Sequence, residues 1–445
     1  MLPVVLLALL SVAGPRGAAA EPRTLDDSTV VDHWTLPCGL NVVTRHVPVA
    51  TATVITVCYP FGSDLDPPGR EGISSLLAEV AFGAAAGDVP ERARQEMASL
   101  RPLGWNISVT RRLTRFIETS SYPQFPGVLR QVCQRIRGVT VSPEALRRSV
   151  AAVKSDLMTN YLRETDRALY YLAGELSSGT TAEGARRYAA GKGLDGLALR
   201  DVQADVREHY VPSGAVLCIV GNLANYDVHR MLDKELGPLR ASSPSPPGPV
   251  RELHSAQASL QREGLMLPVG VLGVVAPALD DSLHPSFYAY LLLLRAYCST
   301  QWNAPEPPLT TRFQFSVSDD PGLARFYPPM IPTSPELMPQ TFYNTVSAYA
   351  QGQPDSAESH QLLEAVQWLL GGPLPSDVLK KVKLDPSTLA ALCSNMAARE
   401  HYGDEAFWTD YRRRVLERIG PTDYFWNTYV LREDRQVRLI LMPGP

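Results

Sequence analysis

The sequence has 445 residues, 45% of them hydrophobic and 20% charged, a balance that builds packed cores and excludes a wholly disordered chain. The length calls for two or three domains of roughly 150–200 residues. Lys and Arg number 42 against 46 Asp and Glu, a net charge of −4, so a strongly basic nucleic-acid-binding protein is excluded.

Residues 1–20 read as a signal peptide. Leu2 to Val12 is an apolar run of h-region length, and Ala18-Ala19-Ala20 offers a small-residue cleavage site before Glu21. The run is shorter than the roughly 20 residues that span a bilayer. A later apolar run, Leu291 to Leu294, ends at Arg295. An exported protein, periplasmic or secreted, with no transmembrane segment is therefore expected. The six cysteines (Cys38, Cys58, Cys133, Cys218, Cys298 and Cys393) are scattered and form no C-x-x-C, unlike a disulfide scaffold. Cys58 and Cys218 fall inside apolar strand-like runs and read as buried free thiols.

Trp34 to Val47 carries two β runs around Cys38-Gly39-Leu40, and Ala52 to Phe61 is a third. Gly72 to Phe82 follows, with Ile73, Leu76, Leu77, Val80 and Ala81 at i, i+3, i+4, i+7 and i+8, the period of an amphipathic helix. A second helix is expected near Glu91 to Leu100. Trp105 to Ser120 reads as a strand pair with a polar face of Arg111, Arg112 and Arg115. Ser142 as N-cap and Pro143 at the first helical position open a long helix with Leu146, Val150, Val153, Leu157 and Tyr161 on one stripe. Gly191 to Gly196 matches G-x-G-x-x-G, but the preceding segment, Ala182 to Ala190, reads as a helix rather than a strand, so this is a loop and not a dinucleotide site. A helix over Leu199 to His209 leads into a buried strand, Ala215 to Gly221.

Pro, Ser and Gly crowd the stretch Gly237 to Val250, an extended linker. It divides the chain into 31–236, a linker at 237–253, and 254–445. The second half repeats the order more loosely. Met266 to Pro277 is a strand, Pro285 to Cys298 a helix, and Arg312 to Ser318 and Leu323 to Pro329 are strands. Helical stretches fill Pro335 to Tyr429, and a strand closes the chain over Gln436 to Met442. Both halves end alike: a helix, then Tyr210-Val211 or Tyr429-Val430, then a strand. This points to an internal duplication and to an α+β fold, each half a mainly antiparallel sheet with helices on one face.

The segment Gly72-Ile-Ser-Ser-Leu-Leu-Ala-Glu-Val-Ala-Phe82 resembles the active-site helix of the insulinase/pitrilysin metallopeptidases. That family carries the inverted zinc motif H-x-x-E-H between a glycine and a phenylalanine. Leu36 to Leu40, Tyr59 to Ser63 and the Tyr210 to Gly221 ending match as well, so the resemblance covers roughly residues 31–445. It implies two homologous metallopeptidase-like domains arranged as a clamshell. Aligned on Gly72 and Phe82, Ser75 stands at the first histidine, Ala78 at the glutamate base and Glu79 at the second histidine. Asp156 stands at about the interval of the third ligand, a glutamate in the family.

A zinc hydrolase needs about three protein ligands and an open position for water, and i, i+4 spacing puts two of them on one helix face. Ser75 is a poor ligand. Two carboxylates, Glu79 and Asp156, suit Mg²⁺ or Ca²⁺ better than Zn²⁺. Ala78 removes the general base, a contribution of about 10²–10⁴-fold. Zinc is therefore expected to be absent, no catalytic residue is assigned, and Ser75 and Glu79 read as a solvated face opposite Leu76, Leu77 and Val80. The eight histidines (His33, His46, His209, His229, His254, His284, His360 and His401) include no i, i+4 pair and read mostly as surface or strand-end residues. The family's substrate-binding Arg and Tyr lie in a segment resembling S-S-R-L-F…R…G-L-A-Y-S-V. Here Cys298 to Pro308 is a proline-rich replacement.

The resemblance implies a catalytically silent subunit. Mitochondrial processing peptidase and the core proteins of ubiquinol–cytochrome c reductase reuse the fold in that way. Its partner would be an active peptidase homologue or other subunits of a complex. Two other readings stand beside it. One is a divergent metal-dependent endopeptidase using Glu79, Asp156 and a histidine brought in by folding. The other is a non-catalytic protein that takes extended peptides at a sheet edge.

Overall fold

The computed structural model describes residues 31–90, 107–162, 165–241, 252–292, 312–314, 322–327, 384–418, 429 and 432–444. The expected leader, the helix over 91–100, most of the linker, and most of the readings between 293 and 383 lie outside the described residues. The chain packs as two compact units.

The first unit draws on the described residues of Met1–Val153, Leu194–Pro249 and Gln367–Ala406. Its sheet contains β1 (Val31–Thr35), β2 (Asn41–His46), β3 (Ala52–Tyr59), β4 (Ile107–Val109), β5 (Thr114–Ser121) and β6 (Val216–Gly221), in the order β1-β2-β6-β3-β5-β4. Only the β2–β6 pairing is parallel; the others are antiparallel. Around this sheet lie α1 (Ile73–Gly83), α2 (Phe125–Arg137) and the start of α3 (Pro143–Leu162). Ser142 caps α3 as expected, its Oγ accepting from Ala145 N at 2.9 Å.

The central strands β3 and β6 are buried along their whole length. Their near-continuous apolar sequences, ATVITVCY and VLCIVG, lack the polar alternation of a half-solvated strand. The reason is that both faces of these strands are covered. Tyr59 and Phe116 meet Phe82 of α1 and Tyr210 on one face. On the opposite face Val54, Cys58, Ile117, Cys218 and Val220 pack against α8 (Pro386–Arg399), a helix from the second half of the sequence, through Leu389, Leu392, Cys393 and Met396. Asp385 caps that helix, accepting from Thr388 N at 2.8 Å, with Pro386 in its first turn.

The second unit draws on the described residues of Lys154–Gly193, Val250–Val366 and Phe407–Pro445. It contains the rest of α3, then α4 (Thr165–Ser177) and α5 (Ala182–Ala189). Its sheet is built from β7 (Ala256–Arg262), β8 (Val269–Val275), β9 (Arg312–Gln314), β10 (Leu323–Tyr327) and β11 (Gln436–Pro443), in the order β7-β11-β8-β10-β9. Again one pairing, β11 with β7, is parallel. The last strand of each half thus lies parallel to one neighbour and antiparallel to the other, and the order β2-β6-β3-β5-β4 repeats as β7-β11-β8-β10-β9. The exchange is reciprocal: α4, from the first half, lays Leu169, Leu172, Ala173 and Leu176 on Leu260, Val271, Leu323, Val437 and Leu439.

Between α5 and α6 (Leu199–His209) the glycine-rich hexapeptide forms a turn with a short 3-10 segment, Lys192–Leu194, and no strand precedes it. Two further helices, α7 (Val228–Leu236) and α9 (Glu405–Glu417), complete the described elements that carry the argument. Among the described residues no helix is long and apolar enough to cross a membrane.

Candidate functional site

The segment between β3 and α1 is held by its own side chains. Gly62 packs so close to the turn after β4 that an added Cβ would sit 2.4 Å from the Thr110 oxygen. Ser63 N and Asp64 N donate to the carbonyls of Thr110 and Arg111 at 3.0 and 2.8 Å. Arg111 returns the contact as a two-pronged ion pair, Nε and Nη2 each 3.0 Å from an Asp64 oxygen. Arg111 therefore sits in a turn and clamps this loop, rather than lying on the polar strand face expected of it.

Helix α1 begins at Gly72, whose φ of 89° is a left-handed value that favours glycine. Its free N–H groups are met by Asp66, a buried carboxylate six residues upstream. The two oxygens accept from Gly72 N at 2.6 Å and Ser74 N at 2.9 Å. A negative group at this end also complements the helix dipole. Phe82, near the far end, carries the Arg135 guanidinium on its ring at 4.5 Å, and Arg135 pairs with Glu118.

Between these anchors lie the positions singled out by sequence. Ile73, Leu76, Leu77, Val80 and Ala81 are buried, as the periodicity predicts. Ala78 is buried with them, at 0% exposure. Ser75 and Glu79 share the remaining face, one turn apart, and are half-buried rather than solvated, because α6 packs beside α1. Asp156 is an exposed residue of α3, between buried Val153 and Leu157, in the stretch that belongs to the second unit. On α6, burial holds Asp205 above the usual carboxylate range and His209 below the usual imidazole value. The His209 ring lies flat on Phe61, centroids 4.0 Å apart.

The histidines are not confined to surfaces and strand ends. His284 is buried with its Nδ1 2.8 Å from the Tyr411 hydroxyl, and burial lowers its pKa to about 4. His401 Nε2 lies 3.3 Å from the Cys58 carbonyl, and burial again lowers the pKa to about 4. At the β1 end of the first sheet a cleft of about 260 Å³ is lined by Asp32, Trp34, His46, Tyr226 and His229. There His229 stacks on Trp34 at 3.7 Å and places Nε2 2.7 Å from Asp32 Oδ2. That pair could pass a proton, but the cleft lining contains no Ser or Cys nucleophile.

No family model matches the sequence, and no curated protein matches it. Solved structures do match. A protease from Helicobacter pylori superposes with a TM-score of 0.68 at 15% identity, over 93% of this chain and 100% of that one. A peptidase M16 inactive domain from Pseudomonas fluorescens gives 0.60 at 13%, over 94% and 98%. The periplasmic protease PqqL from Escherichia coli gives 0.61 at 16%, over 98% of this chain and 48% of that one. The fold is that of the M16 peptidases.

On this M16-like fold a zinc ion would require donors that α1 does not carry. Its outward face offers one hydroxyl and one carboxylate, and the position between them and the core is a buried methyl. Among the described residues no three His, Cys, Asp or Glu side chains gather in a way that could hold a metal ion. A hydroxyl with a single carboxylate does not fit the nitrogen-rich or sulfur-rich tetrahedral set of zinc. The M16-like scaffold residues that sequence reasoning passed over are Asp64 and Asp66. Their signal was present: two acids just ahead of Pro67-Pro68-Gly69 and a helix start.

Proposed function

We propose that this chain is an exported, catalytically silent M16-like peptidase subunit, a partner or scaffold for an active zinc-bearing homologue or a larger complex. One observation carries the proposal. Helix α1 is capped, clamped and packed in full, yet at Ser75, Ala78 and Glu79 it offers a hydroxyl, a buried methyl and a carboxylate. General-base hydrolysis needs a base within reach of the attacking water, and a methyl at 78 supplies none. The leader-like first 20 residues support export, as does the likeness to a neighbour described as a periplasmic protease.

The test is to purify the full chain without chelators, measure bound zinc, and assay cleavage of a mixed peptide library alone and with a co-expressed zinc-bearing homologue. The expected result is no stoichiometric zinc, no cleavage by the chain alone, and co-purification with the homologue. One zinc per chain, with peptide cleavage abolished by Glu79→Ala, would overturn it. Restoring Ser75→His, Ala78→Glu and Glu79→His together is a harsher trial, because the carboxylate introduced by Ala78→Glu would enter a position now fully buried.

A further inference from the structure

Two thiols from opposite halves of the sequence meet in the core of the first unit. Cys218 on β6 and Cys393 on α8 are both free and both fully buried, members of one apolar cluster. Cys393 Sγ lies 3.3 Å from the Cys218 carbonyl oxygen and 3.5 Å from that of Val54. Cys393 thus lies directly against Cys218 within that cluster. They are 175 positions apart in the chain, so contact between them depends wholly on α8 lying across the sheet.

We propose that Cys218 and Cys393 are a disulfide-forming pair that pins the exchanged helix α8 to the first sheet when the chain folds in the presence of a disulfide oxidant. The chemistry is two exchanges. One thiolate attacks a sulfur of a small disulfide, RSSR, giving a mixed disulfide and releasing one RSH. The second thiolate attacks the mixed disulfide on the protein sulfur, closing the Cys218–Cys393 bond and releasing a second RSH. The protein loses two hydrogens and two electrons, and the oxidant gains both.

Burial sets when this happens. It holds the Cys218 thiol protonated, and an enclosed thiol is poorly accessible to an oxidant. Closure therefore belongs to folding, when α8 settles on the sheet, and not to the closed native state. Cys58 is the internal control. It lies in the same cluster, and burial pushes its thiol up to about 12, but the backbone carbonyls that Cys393 Sγ approaches are those of Cys218 and Val54. Closing a loop of this length removes conformational freedom from the unfolded chain, so the oxidised form melts higher.

The experiment uses the full chain. It is reduced and denatured, then refolded with oxidised glutathione or with reduced glutathione alone. Remaining thiols are blocked, and non-reducing digests are read by mass spectrometry beside thermal melts. The expected result is a peptide joining residues 218 and 393 only in the oxidised sample, with Tm raised by about 5 °C or more. Cys58→Ala keeps the link and the shift, and Cys393→Ala loses both. If Cys393→Ala does not fold, the reduced and oxidised native chains carry the comparison. Full alkylation of both cysteines after oxidative refolding would overturn the proposal. So would linkage through another cysteine, or a link that leaves Tm unchanged.

Discussion

Helices α1 and α8 both press on the first sheet, and they do so by different means. α1 follows β3 closely in sequence and is fixed by polar devices: the Asp66 cap, the left-handed Gly72 and the Asp64–Arg111 clamp. It keeps a half-exposed face with Ser75 and Glu79 one turn apart. α8 arrives from the other half of the chain and, beyond its Asp385 cap, is fixed mainly by burial, with Leu389, Leu392, Cys393, Ala397 and Ala398 at or near zero exposure. The same sheet thus holds one helix mainly through polar contacts and the other mainly through apolar shape.

The largest test of this contrast is on α8. Leu389→Ala should destabilise the first unit by about 3–4 kcal/mol, read by urea unfolding, because it leaves a cavity under strands β3 and β6. A change below about 1 kcal/mol would show that the exchanged helix is not part of that core.

Next comes acid. Burial holds His401, just past α8, neutral in the folded chain down to about pH 4. The unfolded chain takes up that proton below about pH 6.5. Stability is therefore full above pH 6.5, falls as pH drops toward 4, and levels off below, a loss of about 3 kcal/mol from this group. His284 adds the same trend in the second unit. His401→Leu should flatten the fall in urea midpoints across that window for the first unit, and an unchanged slope would break the assignment.

The polar anchoring of α1 is the middle case. Asp66→Ala strands the N–H groups of Gly72 and Ser74 and should cost about 2 kcal/mol in chemical unfolding. Amide exchange should be fastest at the start of α1. The smallest effect sharpens the comparison most. Ser75→Ala should change stability by less than about 0.5 kcal/mol and leave complex formation intact, because a half-exposed hydroxyl contributes little. A loss of partner binding would instead make Ser75 part of an interface.

Much of the fold was legible along the chain. The strand runs ending at Tyr59 and Gly221, the stripe of α1 and the Ser142 cap of α3 each follow from local period or cap chemistry. What escaped was locally disguised. α2 begins Phe125-Pro126-Gly127, which reads as a turn, although Leu129, Val132, Cys133 and Ile136 have the helical period. β7 is a sheet-edge strand of sequence AQASLQR, with an exposed polar residue at every second position, so it carries no apolar run to announce it. At the candidate site the identities at 75, 78 and 79 were plain, whereas the half-burial of Ser75 and Glu79 came from α6, a neighbour more than a hundred residues away.

The sequence alone determined the duplicated strand-and-helix order and the residue types on α1, because short-range periodicity and side-chain chemistry are local properties. Only the tertiary structure decided that α8 covers the first sheet and α4 the second, and that Cys218 and Cys393 touch. Apolar stripes state that a face must be buried; they do not state against which strand, since burial of nonpolar area has no direction and no address.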